Sequence, residues 1–162
     1  MIEVIAELNA QTKLCLSNVV ADQVSRGPPD PVESDIASLM NLLIPRANYK
    51  VDHAQYFPQD PGLINRGRIV LEGGSFSQQL LEIASKAQIF GSVRHFFYYT
   101  QHMRSYPDGK IERPVNVKAI DWKSQILDAD AIIIEKNAAA GLEDTEQFID
   151  DLLKALESSG KF

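Results

Sequence analysis

Apolar positions in residues 1–25 recur three and four apart. Val4, Ile5, Leu8, Leu14, Leu16, Val19, Val20 and Val24 carry this spacing, which predicts one helix. Arg26-Gly27-Pro28-Pro29 ends it, because proline lacks the N–H that a helix needs and its ring clashes with the preceding turn. Asp30-Pro31-Val32-Glu33 then reads as a second helix start, with a capping side chain, proline at the first helical position and Glu three residues after the cap. Ile36, Leu39, Met40 and Leu43 give that helix an apolar face, and Pro45 stops it. Tyr49, Tyr56, Phe57, Pro58 and Asp60-Pro61-Gly62 interrupt 45–66, which reads as a long ordered loop holding at most one short strand.

From Arg68 the pattern becomes regular. Ile69-Val70-Leu71 is a short apolar run that ends at Gly73-Gly74, the mark of a buried strand entering a tight turn. A helix is predicted over 78–87, where Leu80, Leu81, Ile83, Ala84 and Ala87 form a stripe. A strand follows over 95–99, then a polar stretch over 101–117 turning at Pro107-Asp108-Gly109. A short helix over 120–127, a strand over 131–135 and an amphipathic helix over 145–156 complete the chain. This alternation predicts parallel strands joined by right-handed crossovers, hence an α/β fold: a three-layer α/β/α sandwich with a mainly parallel sheet. One domain over 1–162 is expected, helical and loop-rich over 1–66 and built of β/α repeats over 67–162. The opening directly inside a periodic segment suggests a fragment of a longer protein.

Composition narrows the function. Hydrophobic residues make up 44% and charged residues 23%, the usage of a folded domain. A net charge of −6 speaks against a nucleic-acid partner, because affinity for phosphate backbones comes largely from Lys and Arg. Lone Cys15 excludes an internal disulfide and a cysteine-built metal site. No apolar run approaches the roughly 18 residues needed to cross a bilayer.

The candidate chemistry centres on Glu72-Gly73-Gly74-Ser75-Phe76-Ser77. Ligands of open parallel sheets bind at the carboxyl ends of strands, and Ser75 falls at such an end, just before a helix. Gly74 lets the backbone turn, and N–H groups near Gly74, Phe76 and Ser77 could hold an oxyanion while Ser75 attacks a carbonyl. The bland alternative makes Ser75 or Ser77 a helix N-cap. A phosphate cradle ranks below both, since no P-loop lysine follows. His102 is the best internal general base, at the same sheet edge as Ser75. His95 is set aside as the start of a strand, and His53 as a loop residue beside Asp52. Glu135 and Asn137, after the third strand, point at the same edge as candidate substrate ligands; capping the next loop is the favoured role. Arg94 and Arg104 could grip a carboxylate, although solvation suits them better. The four aromatics over 96–99 and Trp122 read as core. Asp150-Asp151 and Glu143-Asp144 read as solvated or helix-start charges.

Residues 69–81 (IVLEGGSFSQQLL), the 95–99 strand and residues 121–137 (DWKSQILDADAIIIEKN) resemble the SGNH/GDSL hydrolase superfamily, whose sheet is flavodoxin-like. More narrowly, they are similar to its alginate O-acetyltransferase-like branch, and Ser34-Asp35-Ile36-Ala37-Ser38-Leu39-Met40 is similar to the helix before the nucleophile strand. The resemblance covers roughly 30–156 and implies Ser75 as nucleophile in O-acetylation or acetyl-ester hydrolysis of an exported polysaccharide. It implies a carbohydrate or acyl-ester substrate, a periplasmic or extracytoplasmic place, a membrane tether or membrane-protein partner outside the chain, and neither metal nor organic cofactor. Two departures stand out. Gly74 stands where that branch more often has Asp or Thr, and no Asp-Thr-His-Trp-like segment precedes Ser75. Either that dyad lies before Met1, or Ser75 lacks its base and the domain is inactive. Two alternatives are a non-catalytic Rossmann-like binding module and an anion-binding regulatory domain.

Overall fold

The computed structural model describes residues 2–12, 14–28, 50–60, 67–136 and 142–160. Helix α1 (Ile2–Gln11) is shorter than the apolar spacing suggests, because Asn9 and Thr12 close it. The Asn9 side chain donates to the Leu16 carbonyl (2.9 Å) and accepts from the Leu16 amide (2.7 Å), pulling the chain out of helical register. Strand β1 (Val19–Gly27) follows and pairs antiparallel with β2 (Val51–Pro58) in a two-stranded ribbon. Val19, Val20 and Val24 therefore belong to a strand whose partner lies far along the chain, and β2 replaces much of the loop expected over 45–66. The helix expected from Asp30 lies outside the described residues.

The main sheet has five strands in the order β6-β5-β4-β3-β7. They are β3 (Arg68–Gly73), β4 (Ser92–Phe97), β5 (His102–Tyr106), β6 (Ile111–Glu112) and β7 (Ala131–Ile134). β3 runs parallel to β4 and β7, whereas β5 runs antiparallel to β4 and β6. The expected three-layer α/β/α sandwich on a mainly parallel sheet is thus corrected to a mixed α/β arrangement. A parallel crossover needs about a dozen residues or more. Residues 98–101 offer only a tight turn, so the chain doubles back as β5 and the β/α alternation stops. Three α-helices occur among the described residues: α1, α2 (Ser75–Lys86) and α3 (Leu142–Ser158). The short helix expected over 120–127 forms as a 3₁₀ turn, Val117–Ala119, and a π-helical turn, Lys123–Leu127.

β3 is buried on both faces, as a continuous apolar run requires. Ile69 and Leu71 pack with Ile5, Leu16, Leu81, Ala84 and Val93 on the α2 face. Val70 packs with Phe96, Tyr99, Ile126 and Phe148 on the other. The chain leaves β3 through α2 to β4 on one side and later returns to β7 on the opposite side. The crevice of a sheet with such a reversal opens at the carboxyl end of the central strand, here Glu72-Gly73-Gly74.

Candidate functional site

Ser75 is the first residue of α2, and its side chain is exposed. Gly74 holds the N-cap position without a side-chain hydrogen bond, so neither serine serves as the plain cap. The cap comes instead from beyond β7. Glu135 Oε2 accepts the amides of Gly74 (3.2 Å) and Ser77 (2.9 Å), a favourable place for a carboxylate because the helix start is electropositive. Among the described residues the Ser75 and Phe76 amides have no acceptor, and the Ser75 hydroxyl makes no hydrogen bond. Two open N–H groups therefore flank an open hydroxyl.

Beneath this surface lie two buried polar pairs. Ser77, 6% exposed, donates its hydroxyl to the Gly74 carbonyl (2.8 Å), and its Oγ lies 3.2 Å from Nε2 of His95. β4 begins at Ser92, so His95 is mid-strand opposite Leu71 rather than at a strand start. Burial pushes the His95 imidazole down to about 4, against the opposing pull of the nearby Gly73 backbone, and keeps the ring neutral at pH 7. Its Nδ1 is buried without a partner. On the other face Glu72 is fully buried, accepts from Thr145 Oγ1 (3.3 Å) and leaves Oε2 unpartnered. Burial raises its carboxyl to about 7; the Thr145 bond opposes this, while Asp144 and then Glu135 add to it. The sequence alone sets His95 aside as a strand start and gives Glu72 no role of its own. The available signal for Glu72 was a charge inside an apolar strand run.

The two glycines are set by close approach. A Cβ on Gly73 would stand 2.6 Å from Ser77 Oγ and 2.8 Å from Glu135 Oε2. A Cβ on Gly74 would stand 2.8 Å from the Tyr98 hydroxyl and 2.9 Å from its ring. Tyr98 thus fills the space that the Asp or Thr of the resembled branch would need. Tyr98 and Tyr99 both adopt left-handed backbone, at φ of 43° and 44°, a conformation that costs bulky residues energy and is held here by the β4–β5 turn. The Tyr98 amide donates to the Gly73 carbonyl (3.1 Å), tying the turn to β3.

His102 opens β5 opposite Phe97 and stacks on its ring at 4.6 Å and 18°. Burial lowers its pKa, with Arg113 and then Arg104 adding to the effect. It shares the edge of Ser75 but stands two strands from β3, about 10 Å between backbones. No hydrogen bond joins it to Ser75. Phe76 is 69% exposed, and Asn137 lies outside the described residues. His53 sits on β2, in the two-stranded ribbon, and donates from Nε2 to the Pro28 carbonyl (2.7 Å). Arg94 and Arg104 part company: Arg104 lies beside Glu82 (3.9 Å), while Arg94 donates to the Gln125 carbonyl (2.8 Å). Asp144 and Asp151 accept from Thr100 and Tyr99, which is packing rather than metal ligation. Among the described residues no acidic, histidine or cysteine cluster could hold a metal, and no helix is long and apolar enough to cross a membrane. The chain matches no protein-family model, no curated protein and no solved structure.

Proposed function

We propose that the carboxyl end of β3 is an acyl-ester site with Ser75 as nucleophile. The observation that carries this reading is the exposed Ser75 hydroxyl beside the open amides of Ser75 and Phe76, with Glu135 occupying the flanking donors. In this reading Ser75 Oγ adds to the acyl carbonyl, and the two amides stabilise the oxyanion where negative charge develops. The hydroxyl proton passes to a base as the C–O bond forms; the alcohol of the donor ester then leaves with a proton. A sugar hydroxyl or water takes the acyl group in the second step and regenerates Ser75. Among the described residues His102 is an imidazole on this edge, but it stands two strands from β3 and makes no hydrogen bond to Ser75, so the base is unassigned. Carbohydrate as acceptor, an exported polysaccharide and an extracytoplasmic setting rest on the sequence resemblance alone.

A fluorophosphonate probe followed by peptide mass spectrometry tests the nucleophile. Labelling should fall on Ser75, vanish in Ser75→Ala and persist in Ser77→Ala. An unlabelled protein, or labelling undiminished in Ser75→Ala, overturns it.

One observation favours a second reading, a non-catalytic binding or interaction module. A carboxylate already seated on two amides is what a purely structural turn would carry. The same carboxylate repels a second anion, which disfavours an anion-binding regulatory site at this helix start and adds to the cost of an oxyanion there.

A further inference from the structure

The opposite end of the sheet holds a second constellation that involves none of these residues. Arg68, Ser92, Arg94 and Ser105 lie on one face, since Arg68 pairs with Ser92 and Arg94 with Ser105 across adjacent strands. They form part of the lining of a cavity of about 300 Å³, with Ser124 and Gln125 of the π-helical turn on another side. That volume is at the small end of ligand sites, the size of one sugar-like unit.

The two guanidinium groups are the informative part. Arg94 Nη1 donates to the Gln125 carbonyl, and Arg68 Nη2 donates to the Asp128 carbonyl. These bonds anchor each side chain to the turn that the chain makes before β7. Neither guanidinium has a carboxylate partner among the described residues, although the chain carries six more acidic than basic side chains and Asp130 Oδ2 accepts the Arg68 backbone amide (2.7 Å). An arginine offers five N–H donors in a planar fork, and each here spends one on a backbone carbonyl. Arg94 is half-buried, and its donors beyond the one spent on Gln125 are free to meet a ligand in the cavity. Asp108 also lines the cavity, leaving two positive charges against one negative. π-helical turns are themselves concentrated at functional sites.

We infer that this cavity binds a small molecule through a carboxylate or phosphate group held between Arg68 and Arg94. Two forks converging on one oxyanion can each make paired N–H···O bonds, and the serine hydroxyls supply further donors for a polar ligand. The site is independent of Ser75 and does not require the acyl-ester reading.

Isothermal titration of the protein with inorganic phosphate, with glucuronate and with neutral glucose tests it. Saturable binding of phosphate or glucuronate, with none for glucose, is expected; the anion that binds identifies the group. Arg94→Met and Arg68→Met should each weaken binding by about tenfold or more, the loss of a charge-assisted pair. Ser75→Ala should leave it unchanged. If a methionine variant fails to fold by circular dichroism, the Nε–Hε resonances of Arg68 and Arg94 in the unaltered protein give the answer, because they should shift on titration while that of Arg104 stays. Absence of binding to both anions, equal binding of glucose, affinity untouched by both variants, or unmoved arginine resonances would overturn the inference.

Discussion

The Glu135 carboxylate stands 2.9 Å from the amide nitrogen of Ser77, so the side chain just beyond β7 closes the first turn of α2. That bond and its companion to Gly74 span about 60 residues of chain and tie the edge of the sheet to the helix that carries Ser75. Glu135→Ala leaves both amides without their acceptor and should cost roughly 1–3 kcal/mol. Glu135→Gln keeps an acceptor oxygen but loses the charge, and should cost less. Urea denaturation at pH 7 ranks the three proteins.

Gly73 and Gly74 should respond differently to the same change. Gly74→Ala forces its methyl against the Tyr98 ring, and overpacking of this kind costs roughly 1–3 kcal/mol. Pairing it with Tyr98→Ala removes the obstacle, so the double variant should lose less than the sum of the singles. Gly73→Ala meets Ser77 and Glu135 instead, and Tyr98→Ala should not relieve it. A double-mutant cycle on unfolding free energies reads both outcomes.

Glu72 and His95 make opposed contributions to the pH dependence of stability. The folded value of Glu72 is raised from 4.5 to about 7, so its contribution is fully present below 4.5 and is lost as pH rises to 7. His95 is lowered from 6.5 to about 4, so its contribution is present above 6.5 and is lost as pH falls to 4. Between 4.5 and 6.5 the two slopes cancel, each being about 1.4 kcal/mol per pH unit for one proton. Glu72→Gln should therefore expose stability that rises with pH across this window. His95→Gln should expose stability that falls with it. Denaturation midpoints from pH 4 to 7 check the signs, and two variants with slopes of the same sign would contradict the assignment.

What the sequence made legible was local. Ile69-Val70-Leu71 before two glycines, the Leu80–Ala84 stripe and the apolar run from Ala131 each announce an element whose pattern sits within a few residues. β5 and β6 were not legible, because His102-Met103-Arg104-Ser105-Tyr106 has no strong alternation and is half-buried throughout. Their pairing follows from the shortness of the 98–101 turn. Val19, Val20 and Val24 misled because residues four apart also share one face of a regular strand, and the deciding partner β2 is remote. Ser75 was placed by a topological rule that needs only strand–glycine–helix order. His95 under Ser77 and Glu72 against Thr145 are contacts between distant segments, and Arg68 and Arg94 share a cavity across two strands, none of which single-chain spacing encodes.

The five-stranded sheet ends in β6, two residues long, on one side and in β7, four residues long, on the other. So brief a border offers a foreign segment only a few backbone groups to zip onto, which discourages runaway polymerisation through this sheet. Engineering that lengthened either border would remove that safeguard, and turbidity of concentrated samples would register the change.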